Sequence, residues 1–409
     1  METGRAPLHT DRPAVYLDQW VWIKLARASQ GRPAHPSHVN VLDVIRDASR
    51  DGVAFPLSAT HYKETARIRD PQQRHDLADL MAPISQMRTL RGGRELVRHQ
   101  VLTALHELVG RPTFRPSQPE ALGLGADWAF RGVQSHLRVI GGDRAVVADV
   151  DGPWLRHANQ YFEAEVLAGP WDEDVPGLRL NGYVSPRELE QRPRNRVDWE
   201  HLLAEQLTNH KFSRAELRVV LLARQLTHEH LDLLNEAMAE YRLQQADITG
   251  SISASRRTRQ RLVGFVERVP SIRIAAEMKL ELFRNTHRQW TWNMVRDIDF
   301  LSETVPYCRV VVADRDATTL LKRTVADTRH GTAVISELQD LPDLIQDLRR
   351  EAQSLSADPT GWDALGPRSD FRTDTPAPLS RNVHPDASKG WTVRYTAPDG
   401  SDPWGRNGT

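Results

Sequence analysis

One cysteine, six lysines and no long apolar run are what this 409-residue chain lacks most visibly. Cys308 has no second cysteine to pair with, which excludes a disulfide-stapled secreted domain and favours a reducing, cytoplasmic setting. No stretch approaches the ~20 apolar residues of a membrane-spanning helix, so no membrane partner is expected. The first fifteen residues, METGRAPLHTDRPAV, lack the apolar centre of a secretory signal. Net charge is missing too. With 54 Lys+Arg against 54 Asp+Glu, the chain is not one that coats nucleic acid along its whole length. The lysine shortage leaves 48 Arg, a skew that a GC-rich coding sequence of bacterial type produces. Abundant arginine is therefore not by itself phosphate recognition, although its fork suits phosphate better than lysine does.

The residues present read as an α/β pattern. The β-like run Ala14–Leu17 ends in Asp18 and leads into a helix with Trp22, Leu25 and Ala26 on one face. A helical repeat through Val39, Leu42 and Ile45 precedes a second apolar run, Val53–Leu57, in which Pro56 argues against a long central strand. Ser58 or Thr60 is placed to cap the next helix, which carries Glu64. Helical spacing continues to about Val109. Residues 110–270 break the rhythm and read as a mainly helical insertion, with a capping box at Ser213-Arg-Ala-Glu216. A helix over 272–282 comes next, then Asp297 and Asp299 at a helix start. Arg309–Ala313 is the clearest strand and ends in Asp314. A short strand over 332–335 and a last helix capped from Ser336 complete the pattern. Residues 356–409, rich in Pro, Gly, Asp and Ser, read as a disordered tail.

The acids fall at telling positions. Asp18 and Asp314 each lie just past a strand, Glu64 lies on the helix after the second apolar run, and Asp297 shortly precedes the late strand. In a parallel sheet the strand C-termini share one edge, and ligands bind outside it. Acids distant in sequence would converge there, and three or four carboxylates at close range call for a cation. Oxygen-only ligands suit Mg²⁺ or Mn²⁺, which can activate water against a phosphodiester. Each acid also has a plainer reading. Asp18, Asp297, Asp314 and Asp316 are all placed to cap helices, and Glu64 to pair with an exposed arginine.

The order strand–Asp18–helix, Ser58–helix with Glu64, Asp297 at a helix start and strand–Asp314 resembles the PIN-domain (PIN-like) nucleases. The segment Asp297-Ile-Asp-Phe-Leu-Ser-Glu-Thr-Val-Pro-Tyr-Cys-Arg-Val-Val-Val-Ala-Asp314 is the most family-like piece. The resemblance covers about 14–109 and 271–355. It implies a three-layer α/β/α core with a central parallel sheet, interrupted by 110–270, and metal-dependent endoribonuclease chemistry. Asp18, Glu64, Asp297 and Asp314 would be its catalytic and metal-holding acids, with Asp299 as a spare and Asp316 capping the next helix. Three departures stand out: the long insertion, Asn293-Met294 where relatives carry Asn-Asp, and Gln19 in place of a small polar residue.

Charge is unevenly distributed along this frame. From Arg242 to Arg296 eleven basic residues face four acids, whereas 336–375 carries nine acids against four arginines. Arg256, Arg257, Arg259 and Arg261 are candidates for a phosphate track, with Trp290 and Trp292 as candidate base-stacking groups for an RNA substrate. A solvated helix face and core tryptophans are the plainer readings. His61, three residues before Glu64, is placed to orient a carboxylate or a water, or to be simply half-exposed. Cys308 reads as packing. The expected function is thus RNA hydrolysis by an acid cluster, of a toxin, defence or housekeeping kind. A protein partner or antitoxin at the helical insertion would fit it. The alternatives are a PIN-like binding module that does not cut and, through Asp314-Arg-Asp316, a Toprim-type phosphotransfer domain.

Overall fold

β-Branched residues cluster in few places, and the main sheet forms at them. The computed structural model describes residues 8–110, 120–133, 136–140, 153–180, 182–185, 194–209, 212–249, 256–284, 289–324, 326–355 and 392–396. In chain order the strands are β1 (Val15–Leu17), β2 (Arg88–Leu90), β3 (Leu122–Leu124), β4 (His136–Ile140), β5 (Val310–Val312), β6 (Ala333–Ile335) and β7 (Thr392–Thr396). The fold is mixed α/β with helices dominant. It divides into one unit of Met1–Asp18, Gly92–Ala121 and Val184–Leu341, and another of Gln19–Arg91, Leu122–Tyr183 and Pro342–Thr409. Among the described residues no helix is long and apolar enough to cross a membrane.

In the first unit, β1, β5 and β6 form a parallel sheet with β5 central. Tyr16 stands opposite Val311, and Val311 opposite Val334. All residues of β1 and β5 are buried, so the runs Val-Tyr-Leu and Val-Val-Val show no polar alternation, as expected where both faces of a parallel sheet are covered. Lateral bonding continues one residue past the strands. The Asp18 N–H donates to the Val312 carbonyl (3.0 Å) and the Ala313 N–H to that of Ile335 (3.1 Å).

The helix Trp292–Thr304 packs on this sheet through a stack of Phe300 on Tyr16, with ring centroids 5.6 Å apart. It starts earlier than the acids suggest. Thr291 is its cap, accepting from the Met294 N–H (3.3 Å), so Asp297 and Asp299 lie within the helix and cap nothing. The helix Pro270–Phe283 is buried along nearly its whole length, including three charged residues. Each is compensated, as burial of charge demands. Glu277 receives Arg218, Arg273 and Arg329 at 3.1 Å each, Lys279 pairs with Glu200 at 2.5 Å, and Glu281 pairs with Arg214 and Arg284. The expected box at Ser213 forms: Glu216 Oε2 accepts from the Ser213 N–H, and the Glu216 N–H donates to Ser213 Oγ.

The second unit is mainly helical, with Trp22, Leu25, Ile45, Leu77 and Met81 in its core. Arg74, 7 % exposed, ties it together by donating to the carbonyls of Ile68, Ala168 and Pro170. Val53–Leu57 is not the second strand that its apolar run suggests. Pro56 supplies no N–H, and the run makes only isolated bridges at Ala54 and Leu57, the latter parallel to Thr89. The last helix runs Leu341–Ser354 after a 3₁₀ turn at Leu338–Asp340, so Ser336 does not cap it. Within the segment read as a disordered tail, β7 pairs antiparallel with β4. The remainder of 356–409 lies outside the described residues.

Candidate carboxylate site at the sheet edge

Parallel strands deliver Asp18 and Asp314 to the same edge of the sheet, at the ends of neighbouring β1 and β5. Asp314 Oδ1 accepts from the Ala317 N–H (2.7 Å) and so caps the helix Arg315–Arg323. The capping role assigned to Asp316 therefore belongs to Asp314, and Asp316 lies exposed in the first helical turn. Asp297 reaches the same neighbourhood from the second turn of Trp292–Thr304. Burial, then the charges of Asp314, Asp18, Asp299 and Asp316 in that order, push its carboxyl from 3.8 up to about 7. The charges of Asp314 and Asp18, at the ends of neighbouring strands, thus reach Asp297.

The chemistry of the donors fits a hard divalent cation: carboxylate oxygens only, with no sulfur and no imidazole among these acids. Asp18, Asp297 and Asp314 are the side chains that would hold it. Among the described residues no three His, Cys, Asp or Glu side chains form a ready-made metal-binding group.

Asp299 is not spare. Arg196 binds both of its oxygens, Nη1 to Oδ2 at 2.7 Å and Nη2 to Oδ1 at 2.9 Å, and also reaches Glu229 through Nε at 3.1 Å. Burial alone would lower the Arg196 guanidinium, but the two carboxylates hold it above the ordinary arginine value. The adjacent His230 goes the other way. Burial pulls its imidazole down to about 4, despite Asp299 and Asp232 nearby. Neither Arg196 nor Glu229 is visible as a site residue in the sequence, because the pairing spans 103 positions and leaves no local pattern.

Glu64 belongs to the second unit, in the last turn of Ala59–Thr65 and not in its first. His61 is 1 % exposed, and its Nδ1 accepts from the Ser58 N–H (2.9 Å), so it completes the capping box of that helix. A half-exposed histidine is thus replaced by a buried structural one. Of the proposed phosphate track, Arg256 and Arg257 lie on the helix Arg256–Glu267 with side chains outside the described residues. Arg259 is exposed. Arg261 donates to the carbonyls of Leu108 and Asp247 and works as a tie. Trp290 is 5 % exposed against Phe283 (4.8 Å), an interior position that offers no open face for a base. Trp292 is half-buried at the start of its helix, with an indole Nε1 that is buried and has no hydrogen-bond partner.

No protein-family model matches the chain, and no curated protein or solved structure is significantly similar to it.

Proposed function

We propose that the chain is a metal-dependent endoribonuclease on a PIN-like α/β/α core, with Asp18, Asp297 and Asp314 as its central acids. One observation carries the reading: three carboxylates from distant segments gather at the C-terminal edge of one parallel sheet, and the middle one is pushed up to about 7 there. Capping accounts for Asp314, whose Oδ1 accepts from the Ala317 N–H, and not for Asp297, which lies inside its helix. It gives no reason for Asp18 and Asp297 to be its neighbours. Mg²⁺ or Mn²⁺, when bound, supplies a water of lowered pKa and offsets charge at the attacked phosphate. Asp18 and Asp314, fixed by adjacent strand ends, hold the cation. Asp297, raised in the free protein by burial and by the charges of Asp314 and Asp18, would join them as the third carboxylate on the cation. The RNA substrate, like the toxin, defence or housekeeping role, rests on the resemblance and on the exposed Arg259.

The test is Mn²⁺- or Mg²⁺-dependent cleavage of RNA by the full chain, compared with Asp18→Asn and Asp314→Asn. Asparagine caps helices as well as aspartate does, so Asp314→Asn removes charge while keeping the bond to Ala317. Both variants are expected to lose cleavage and keep the fold. Wild-type rates in both would sink the assignment. A second reading, a PIN-like module that binds without cutting, is favoured by the absence of a ready-made metal group among the described residues. It predicts no divalent-cation binding by the free protein.

A further inference from the structure

We propose that a cavity walled by Glu200 and Lys279, formed by none of the clustered acids, binds the amide edge of a single unpaired nucleobase of uracil size. The helix Arg194–Asn209 sets Trp199 and Glu200 along a cavity of about 250 Å³, counted out to its open mouth. Lys279 of the helix Pro270–Phe283, Arg224 at the end of Arg214–Arg224, and Gln225 and His228 of the turn that follows line it as well. That turn, Gln225–Glu229, is π-helical, a widening of the helix met frequently at functional sites. Glu200 is 4 % exposed. Its Oε1 accepts from Lys279 Nζ at 2.5 Å, whereas Oε2 is buried with no hydrogen-bond partner among the described residues. A buried carboxylate oxygen without a donor is costly and calls for an occupant. The ammonium is underused too. One of its three N–H groups goes to Oε1, and no other acceptor among the described residues takes the rest.

These unused groups select the ligand. A cation on Oε2 would stand against the Lys279 ammonium, and an anion on that ammonium would stand against Oε2. The matching partner is neutral and carries a donor beside an acceptor. A cis amide has that pattern, its N–H donating to Glu200 Oε2 and its carbonyl accepting from Lys279 Nζ. The cavity is smaller than the ~300–1,000 Å³ of pockets for drug-sized molecules, which suits one ring. At its mouth Trp199 is 38 % exposed and meets His228 edge-on, with ring centroids 5.1 Å apart. Arg224 Nη2 donates to the Trp199 carbonyl at 3.1 Å. An open indole surface beside a polar floor is how proteins take an unpaired base, stacking on its face and hydrogen-bonding to its edge. Trp290, buried against Phe283, has no such surface. Uracil, a single ring with N3–H between two carbonyls, meets both conditions. That the base belongs to an RNA substrate rests on the proposed function; the chemistry of the cavity does not.

The probe is uridine, titrated into the full chain in EDTA and followed by ligand-observed NMR, with 3-methyluridine as its counterpart. The methyl group replaces the N3 hydrogen, so 3-methyluridine should bind at least about tenfold more weakly, the scale for one hydrogen bond to a charged group. Trp199→Ala should weaken uridine binding about fivefold or more, the low end for stacking one base on an aromatic side chain. Leu202→Ala, at an exposed position of the same helix that does not line the cavity, should leave binding unchanged. Equal binding of the two nucleosides, or wild-type binding by Trp199→Ala, overturns the proposal. So does a folded protein that binds no uridine, which leaves the cavity to an ordered water. The titration contains no divalent cation and reads no cleavage. A chain that cleaves RNA without binding uridine loses this inference alone, and one that binds uridine without cleaving loses the nuclease reading alone.

Discussion

Asp297→Asn should remove one part of the pH dependence of stability. In the folded chain the Asp297 carboxyl titrates at about 7 instead of 3.8, chiefly through burial and then through Asp314 and Asp18. The folded state therefore keeps a proton that the unfolded chain releases. That contribution is fully present below pH 3.8, declines as pH rises, and is lost once pH passes about 7. A separation of that size corresponds to roughly 4 kcal/mol, or nearer 3 kcal/mol after allowance for the part of the side chain that water reaches. Asparagine stays neutral, so the variant escapes the penalty. Urea unfolding of both proteins in EDTA from pH 4 to 8.5 gives the difference directly, with the other titrating groups cancelling. The variant should gain on wild type by about 1 kcal/mol per pH unit between 4 and 7 and then level off. Mn²⁺ should restore wild type at pH 8 and do less for the variant. A difference that stays flat, or one that favours wild type as pH rises, refutes the argument that these acids crowd one another.

Other expectations follow from single contacts. Lys279→Met should destabilise the first unit by about 3–5 kcal/mol in chemical unfolding, because Glu200 is then a buried charge without a partner, and Lys279→Met/Glu200→Gln should recover most of the loss. The Glu200 Oε2 atom is already buried without a hydrogen-bond partner, so no neighbour is in place to take over. In the second unit, burial raises the Glu163 carboxyl from 4.5 to about 7 against the pull of the Ala126 N–H. Its folded value lies above its unfolded one, so stability falls from pH 4.5 to 7 by about 3 kcal/mol, and Glu163→Gln should flatten that fall in a denaturation series. Cys308 is fully buried and its thiol is pushed up by burial, so thiol reagents should label it only after unfolding; rapid labelling of the native chain would contradict its place in the core.

Strands and caps were legible in the sequence where the cause is local. Arg309–Ala313 reads as a strand because β-branched residues run together there, and β5 forms within it. Ser213 and Glu216 bond each other across one turn, so four residues suffice to read them. The helix start before Asp297 misled for the same reason. Aspartate is a strong cap, yet Thr291 takes that role, and the intervening Trp292-Asn-Met shows no helical signal of its own. Val53–Leu57 misled because an apolar run specifies burial and not pairing. Its residues are buried, but pairing is limited to isolated bridges at Ala54 and Leu57. The convergence of Asp18 and Asp314 was legible because parallel pairing puts strand ends on one side whatever lies between them.

Charge was the least legible property, for a physical reason. The helix Pro270–Phe283 carries Arg273, Glu277, Lys279, Glu281 and, just beyond it, Arg284, which in sequence look like a solvated face. The structure buries Glu277, Lys279 and Glu281 and pairs each with a side chain from elsewhere in the unit, so part of the basic excess over 242–296 neutralises buried acids. Arg196 and Asp299 obey the same logic. A count of charges along a chain measures affinity for phosphate or metal only after those partners have been subtracted, and the partners are long-range. The acids at the sheet edge are distinguished by the opposite condition. Asp297 feels other acids where Glu200, Glu277 and Glu281 face arginine or lysine, and the electrostatic cost that this arrangement carries is what the proposed cation would relieve.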